Sequence, residues 1–304
     1  MKHSCYKTIC CSVIVVCSSW LLASCLDDKR KYELVWAEEF ETPGRLDDSD
    51  WNYERGFVRN HEAQWYQSDN ATVADGCLVI EARHDSFPNP VYMEGGHRDW
   101  RFSRPYAEYT SASVNTRGKH EWLYGRFEVR AKIPTAPGAW PAIWTLGVAK
   151  PWPMNGEIDI MEFYRIQGVP HILANACWAS EPNRGLWSTA ALPFTHFTDK
   201  DPNWADKFHV WRMDWDEDYL RLYLDGELLN EIPLTDEACQ AKVKRGHPRY
   251  GKAGTYSEAL DDAFHQPHYL LLNLAIGGDN GGEPDPAQYP IRYEIDFVRV
   301  YQLK

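Results

Sequence analysis

The chain is short of positive charge, of helical periodicity and of cysteines in its body. Across 304 residues, 44 Asp and Glu face 32 Lys and Arg, for a formal charge of −12. That balance argues against a nucleic-acid partner, because phosphate binding needs a basic surface. No segment carries a sustained helical period of apolar residues. No internal repeat, low-complexity tract or linker interrupts the chain, so one large β domain is the simpler organisation. The one long apolar run, Thr8 to Leu22, is short for a membrane span.

That run follows Lys2, His3 and Lys7 and ends in Leu22-Ala23-Ser24-Cys25. A basic start, an apolar stretch and small residues before the break describe a secretory signal. The ending resembles a bacterial lipobox, in which Cys25 becomes the lipidated first residue; an ordinary signal peptide or an N-terminal membrane helix shares parts of the pattern. The expected organisation is a signal at 1–24, a tether at 25–33 and one domain at 34–304. Localisation is then to the outer membrane or cell surface through a lipid anchor alone, or facing the periplasm. Of the 8 cysteines, Cys5, Cys10, Cys11 and Cys17 leave with the signal and Cys25 is acylated. Cys77, Cys177 and Cys239 make no disulfide framework and no zinc spacing, and each reads as a small buried apolar residue.

What is abundant is aromatic: 14 Trp and 17 Tyr, which serve β-sandwich cores or stack on sugar rings. Short alternating runs separated by Gly, Pro, Asn and Asp read as strands over Leu78–Arg83, Tyr109–Asn115, Arg126–Ile133, Phe208–Trp215, Tyr219–Leu224, Tyr269–Ala275 and Tyr293–Tyr301. Asp225-Gly226 between two such runs is a hairpin signal. Strands at this spacing predict an all-β sandwich. Two long irregular stretches, Phe87–Pro105 and Thr235–Gln266, break the rhythm. The second carries Lys242, Lys244, Arg245, Arg249 and Lys252, a solvated charge run or a surface for an anionic glycan.

The sequence turns on Gly156-Glu157-Ile158-Asp159-Ile160-Met161-Glu162-Phe163. Alternation puts Glu157 and Asp159 on one face of a strand and Glu162 on the other. A one-residue bulge near Ile160-Met161 returns Glu162 to their side. Three carboxylates on one face repel, so at least one must bind its proton more tightly than usual. One ionised and one protonated carboxyl serve retaining glycoside hydrolysis. A solvated acidic edge or a calcium site satisfies the same spacing.

These residues resemble glycoside hydrolase family 16. Glu157-Ile158-Asp159-Ile160-Met161-Glu162 matches its E-x-D-x-x-E signature. Gly138-Ala139-Trp140-Pro141-Ala142-Ile143-Trp144-Thr145-Leu146-Gly147 is similar to its G-x-W-P-A-x-W-x-L-G strand, and Asp296-Phe297-Val298-Arg299-Val300-Tyr301 to its closing strand. The similarity runs from about Leu34 to Gln302. It implies a β-jelly-roll of two antiparallel sheets with a concave cleft. It also implies Glu157 as nucleophile, Glu162 as acid/base and Asp159 as supporting carboxylate. No catalytic cofactor is implied. Trp140 and Trp144 are implied as cleft residues, with a core role the alternative; Asn60 is either a sugar ligand or a turn former. A structural calcium near Glu39, Gly76 and Asp296 is implied too, although Asp296 also suits a strand end.

The chain departs from laminarinase-like members at Gly56-Phe57-Val58-Arg59-Asn60-His61-Glu62, at Asn175, where they carry a His, and at Gly277-Gly278-Asp279-Asn280-Gly281-Gly282. Trp178 and Trp187 are then candidate platforms or buried residues. The Arg59–Tyr66 stretch, His171 to Asn175 and the lipoprotein start resemble a gut-bacterial branch that cuts galactosides in mucin-type O-glycans or poly-N-acetyllactosamine. The expected partner is therefore a glycan, with a β-galactoside ahead of β-1,3- or mixed-linkage glucan and of algal galactans. A monomer is expected.

Overall fold

The computed structural model describes residues 32–182, 184–238 and 263–304. The signal, the Cys25 lipidation, Cys239 and the basic 242–252 stretch lie outside the described residues. Branched apolar residues alternating with polar ones give strands, because such side chains pack on a pleated surface. Among the described residues no helix is long and apolar enough to cross a membrane.

Two sheets pack face to face. The cleft sheet has 7 strands, ordered Leu186–Pro193, Val169–Trp178, Glu157–Ile166, Ala139–Gly147, His268–Ile276, Ser113–Asn115 and Asn52–Tyr53. The outer sheet runs from Glu227–Pro233 through Tyr219–Leu224, His209–Trp215, Gly125–Lys132, Ile291–Leu303, Cys77–Pro88 and Tyr106–Ser111 to Gln64–Tyr66. Tyr32–Glu38 and Ala71–Ala74 pair alongside it. Between the sheets Leu78, Ile80, Phe127, Val129, Ile143, Ile158, Ile160, Phe163 and Trp211 are fully buried in one continuous core. This is the two-sheet jelly roll the sequence implies, with one departure from antiparallel pairing. Gln64–Tyr66 runs parallel to Tyr106–Ser111.

Local signals and tertiary choices divide clearly. At the predicted hairpin, Asp225 (φ 48°) and Gly226 (φ 83°) both take the left-handed backbone that a tight two-residue turn requires. The run Tyr109–Asn115, by contrast, is not one strand. It breaks at Ala112, so that Tyr106–Ser111 belongs to the outer sheet and Ser113–Asn115 to the cleft sheet. The buried hydroxyl of Ser111 donates to the carbonyl of Leu274 at 2.6 Å, and that of Ser113 donates to Glu54 at 2.5 Å. Periodicity cannot register a strand that changes sheets, because the side-chain alternation continues through the crossing.

Candidate active site

The Glu157–Ile166 strand is built between Ala139–Gly147 and Val169–Trp178. Glu157 lies opposite Leu146 and Asp159 opposite Trp144, but Met161 then meets Ile143 and Glu162 meets Ala142. One residue is extra between Asp159 and Met161, which is the predicted bulge. Ile160 and Met161 both enter the core at 0 % exposure, and Glu162 returns to the face of Glu157 and Asp159. Gly156 (φ 76°) leads in; a Cβ there would lie 2.7 Å from the carbonyl oxygen of Ala263.

The three carboxyls line a cleft of about 710 Å³. Trp140 Nε1 donates to Glu162 Oε1 at 2.9 Å, and Asn175 Nδ2 donates to Glu162 Oε2 at 2.9 Å. Trp152 Nε1 donates to Glu157 Oε2 at 2.7 Å. Burial and, after it, the charge of Glu162 push Glu157 up to about 7; Trp152, Arg59 and hydrogen bonding with Asp159 pull it back. Burial pushes Glu162 up to about 6 against the Trp140 and Asn175 hydrogen bonds. Burial, Glu162 and Glu157 hold Asp159 well above the usual carboxyl range. The cluster therefore retains protons at pH values where free carboxyls have lost theirs.

Trp140 and Trp144 do line the cleft, at 5 % and 8 % exposure. Each is locked by its indole N–H, Trp140 on Glu162 and Trp144 on Asn273 Oδ1 at 2.7 Å. The Arg59 guanidinium lies 5.0 Å from the Trp144 ring centroid. Both are fixed walls, and the most exposed aromatic residues lining the cleft are Trp152 (52 %) and Trp187 (49 %). Asn60 sits at φ 52° in a turn, with its residue on the lining of the cleft. Trp178 is a correction. Three residues on from Asn175, strict alternation carries it to the opposite face, where it packs in the core against Phe264.

Two of the residues expected near a structural calcium are engaged by guanidinium groups. Both carboxylate oxygens of Glu39 accept from Arg299, at 2.7 and 2.9 Å, and Asp296 accepts from Arg130. Glu39, with both oxygens taken, is thereby a poor cation ligand, whereas a single oxygen of Asp296 is engaged. Among the described residues no group of three or more His, Cys, Asp or Glu could hold a metal ion.

Three functional contacts escape the sequence reading. Trp152, five residues before Glu157, touches it only because the intervening turn folds back. Arg59, which lines the cleft, binds Glu54, and Ser113 also holds that carboxylate. The Phe87–Pro105 stretch buttresses that wall: Arg101 donates to the Val58 carbonyl at 3.1 Å and Arg104 to the carbonyls of Glu62 and His61 at 2.6 and 2.9 Å.

The sequence profile of glycosyl hydrolases family 16 matches residues 59–250. The chain belongs to glycosyl hydrolases family 16. It is 35 % identical to the beta-glucanase of Rhodothermus marinus over 308 residues, covering 96 % of this chain and 92 % of that one. It is 29 % identical to the keratan-sulfate endo-1,4-beta-galactosidase of Sphingobacterium multivorum over 283 residues, covering 90 % of this chain but 56 % of that protein. A solved structure concerned with endo-acting O-glycanases, expressed by prominent members of the human gut microbiota to initiate mucin breakdown, superposes with a TM-score of 0.73. The two are 32 % identical, with 90 % of this chain and 91 % of that one covered. This family 16 chain is accordingly an endo-acting β-glycosidase, and members of its family need no catalytic cofactor.

Proposed function

We propose that this family 16 enzyme is a retaining endo-β-galactosidase that cuts internal linkages of mucin-type O-glycans or poly-N-acetyllactosamine. The observation that carries the substrate is the likeness, at a TM-score of 0.73, to the structure concerned with mucin O-glycanases. The altered positions Arg59, Asn175 and Asn280 all line the cleft, where a change in sugar preference must be written. Glucose and galactose differ at one hydroxyl, and a buried polar group left unpaired by the wrong epimer is enough to discriminate. A second reading, endo-β-glucanase, is favoured by the 35 % identity to the Rhodothermus marinus beta-glucanase.

The chemistry follows from the carboxyl cluster. Glu157 attacks the anomeric carbon while Glu162 gives its proton to the departing glycosidic oxygen, which leaves as a hydroxyl. Glu162 then takes a proton from water, the water oxygen bonds to the anomeric carbon, and Glu157 is released as carboxylate. Asp159 supports Glu157 by hydrogen bonding to it. Trp152 and Trp187 offer the sugar rings their exposed faces. The enzyme works as a monomer held at the outer membrane or cell surface by a lipid on Cys25; palmitate labelling that survives Cys25→Ala would remove the anchor from this reading.

The substrate is tested by incubating the soluble protein from Asp27 onward with porcine mucin and with laminarin in parallel. Oligosaccharides ending in reducing galactose, with laminarin intact, are expected. Laminari-oligosaccharides in place of mucin products would overturn the galactoside reading and establish the glucanase.

A further inference from the structure

The Arg59 guanidinium lies over the Trp144 ring, 5.0 Å from its centroid, and both residues line the cleft. Arg59 is held in that place. Both carboxylate oxygens of Glu54 accept from its Nη2. Glu54 is tied in turn to the cleft sheet, because the Ser113 hydroxyl donates to its carboxylate and its own backbone N–H donates to the Ser113 carbonyl at 2.9 Å. Trp144 is anchored from the other direction. Its indole N–H donates to Asn273 Oδ1, and Asn273 Nδ2 donates to the Tyr66 hydroxyl at 3.1 Å. Ala142, Tyr269 and Leu271 pack with it in a small apolar cluster separate from the main core. A tryptophan on the wall of a sugar cleft is thereby left 8 % exposed.

A ring face can carry a cation or a sugar, but not both at once. A guanidinium already oriented by a carboxylate loses little further freedom on lying across an indole, so the cover is stable. The contrast is Trp187, about half exposed, on the Leu186–Pro193 strand three places away in the same sheet. Stacking surface is open on that strand and closed on Ala139–Gly147, which carries Trp144.

We propose that Arg59 is a specificity-determining residue: by lying across Trp144 it withdraws that ring from sugar stacking and so disfavours a chain of glucose units. The hydroxyls of a β-glucose unit all lie near the ring plane, which leaves both of its faces flat enough to stack. Galactose raises its C4 hydroxyl out of that plane and loses one flat face, so a closed platform costs it less. Asn60 and Asn280, which also line the cleft, offer hydrogen bonds that a hydroxyl can use. Denying a contact to the competitor discriminates as effectively as adding one for the preferred chain.

This inference rests on the galactoside reading for the direction of the preference, but not for the cover on Trp144. Its test reads binding by calorimetry in the Glu157→Gln background, because the Arg59 charge also draws Glu157 toward its ionised form and would confound turnover. Two variants are compared, each combined with Glu54→Gln so that no carboxylate is left without its cation. Arg59→Ala uncovers the ring, whereas Arg59→Met removes the charge but keeps an apolar chain over it. For laminarihexaose, Arg59→Ala is expected to tighten binding about 5- to 10-fold, and Arg59→Met to change it within about twofold. For a tetrasaccharide of two N-acetyllactosamine units, both variants are expected to stay within about threefold. No tightening on laminarihexaose in Arg59→Ala would overturn the proposal. Equal tightening in both variants would also overturn it, since lost charge and not an uncovered ring would then be the cause. If the active enzyme cuts laminarin and leaves mucin intact, the galactoside reading falls, while a gain confined to Arg59→Ala still establishes the cover.

Discussion

The outward faces of the two sheets use the same acidic residues to opposite ends. On the outer sheet several carboxylates meet a cation. Asp214 pairs with Arg126, Glu294 with Lys132, Glu231 with Arg221 and Glu39 with Arg299, at 2.7 to 2.9 Å. On the cleft sheet Glu157, Asp159 and Glu162 crowd one strand. The cation that acts on Glu157, Arg59, is already claimed by Glu54. Hydrogen bonding to Arg299 holds Glu39 below the usual carboxylate range, whereas burial drives the cleft carboxyls up. Pairing in water makes charge inert, and crowding in a buried strand makes it reactive.

The largest expected break in that contrast is Glu157→Gln. Turnover should fall by on the order of 10⁴-fold or more. The melting temperature should hold or rise, because a neutral amide relieves buried repulsion. Calorimetry and kinetics on one preparation check both, and residual turnover near the wild-type rate would remove Glu157 as the nucleophile.

The pH dependence of stability sharpens the contrast next. A carboxyl whose folded value is raised binds more protons folded than unfolded, so its stabilisation is full below the ordinary value and is lost as pH rises through the raised one. Glu157 and Glu62, both pushed to about 7 with burial as the main cause, and Glu162, at about 6, place that loss between pH 4.5 and 7. Denaturant melts across this window should show stability falling with pH, by on the order of 2 kcal/mol for each of Glu157 and Glu62. Glu157→Gln should flatten the slope; a wild-type profile that rises with pH would contradict the buried, proton-retaining cluster.

A smaller effect is expected at Trp152→Phe, which keeps a ring but loses the N–H on Glu157. Loss of one hydrogen bond to a charged group predicts about a 10-fold drop in kcat/KM. The acidic limb of the pH profile should move upward, because the donor that favoured ionised Glu157 is gone. An unmoved limb would reduce Trp152 to a platform. The smallest effect belongs to the outer sheet: Lys132→Met should change stability by less than about 1 kcal/mol and leave kcat unaltered.

The strand assignments, the Asp225-Gly226 hairpin and the bulge were legible because each rests on local chemistry. Alternation sets the face, and a one-residue bulge near Ile160-Met161 is what returns Glu162 to the face of Glu157, as the family signature also implies. The Tyr109–Asn115 run was misread, and platform against core stayed open for Trp178, for the converse reason. The sequence marks alternation but not which sheet a strand joins or where a face changes partners. Trp140 and Trp144 were placed correctly in the cleft, yet their locked N–H groups depend on Glu162 and Asn273, the latter 129 positions from Trp144.

The sequence by itself determined the family, the all-β architecture and the acidic strand, because motif order and period-two patterning are written residue by residue. The tertiary structure alone decided the electrostatics. Burial, the indole of Trp152, the Asn175 amide and the Arg59–Glu54 pair converge from separate strands and loops. A carboxyl's hold on its proton is fixed by what surrounds it in space, not by its neighbours in the chain.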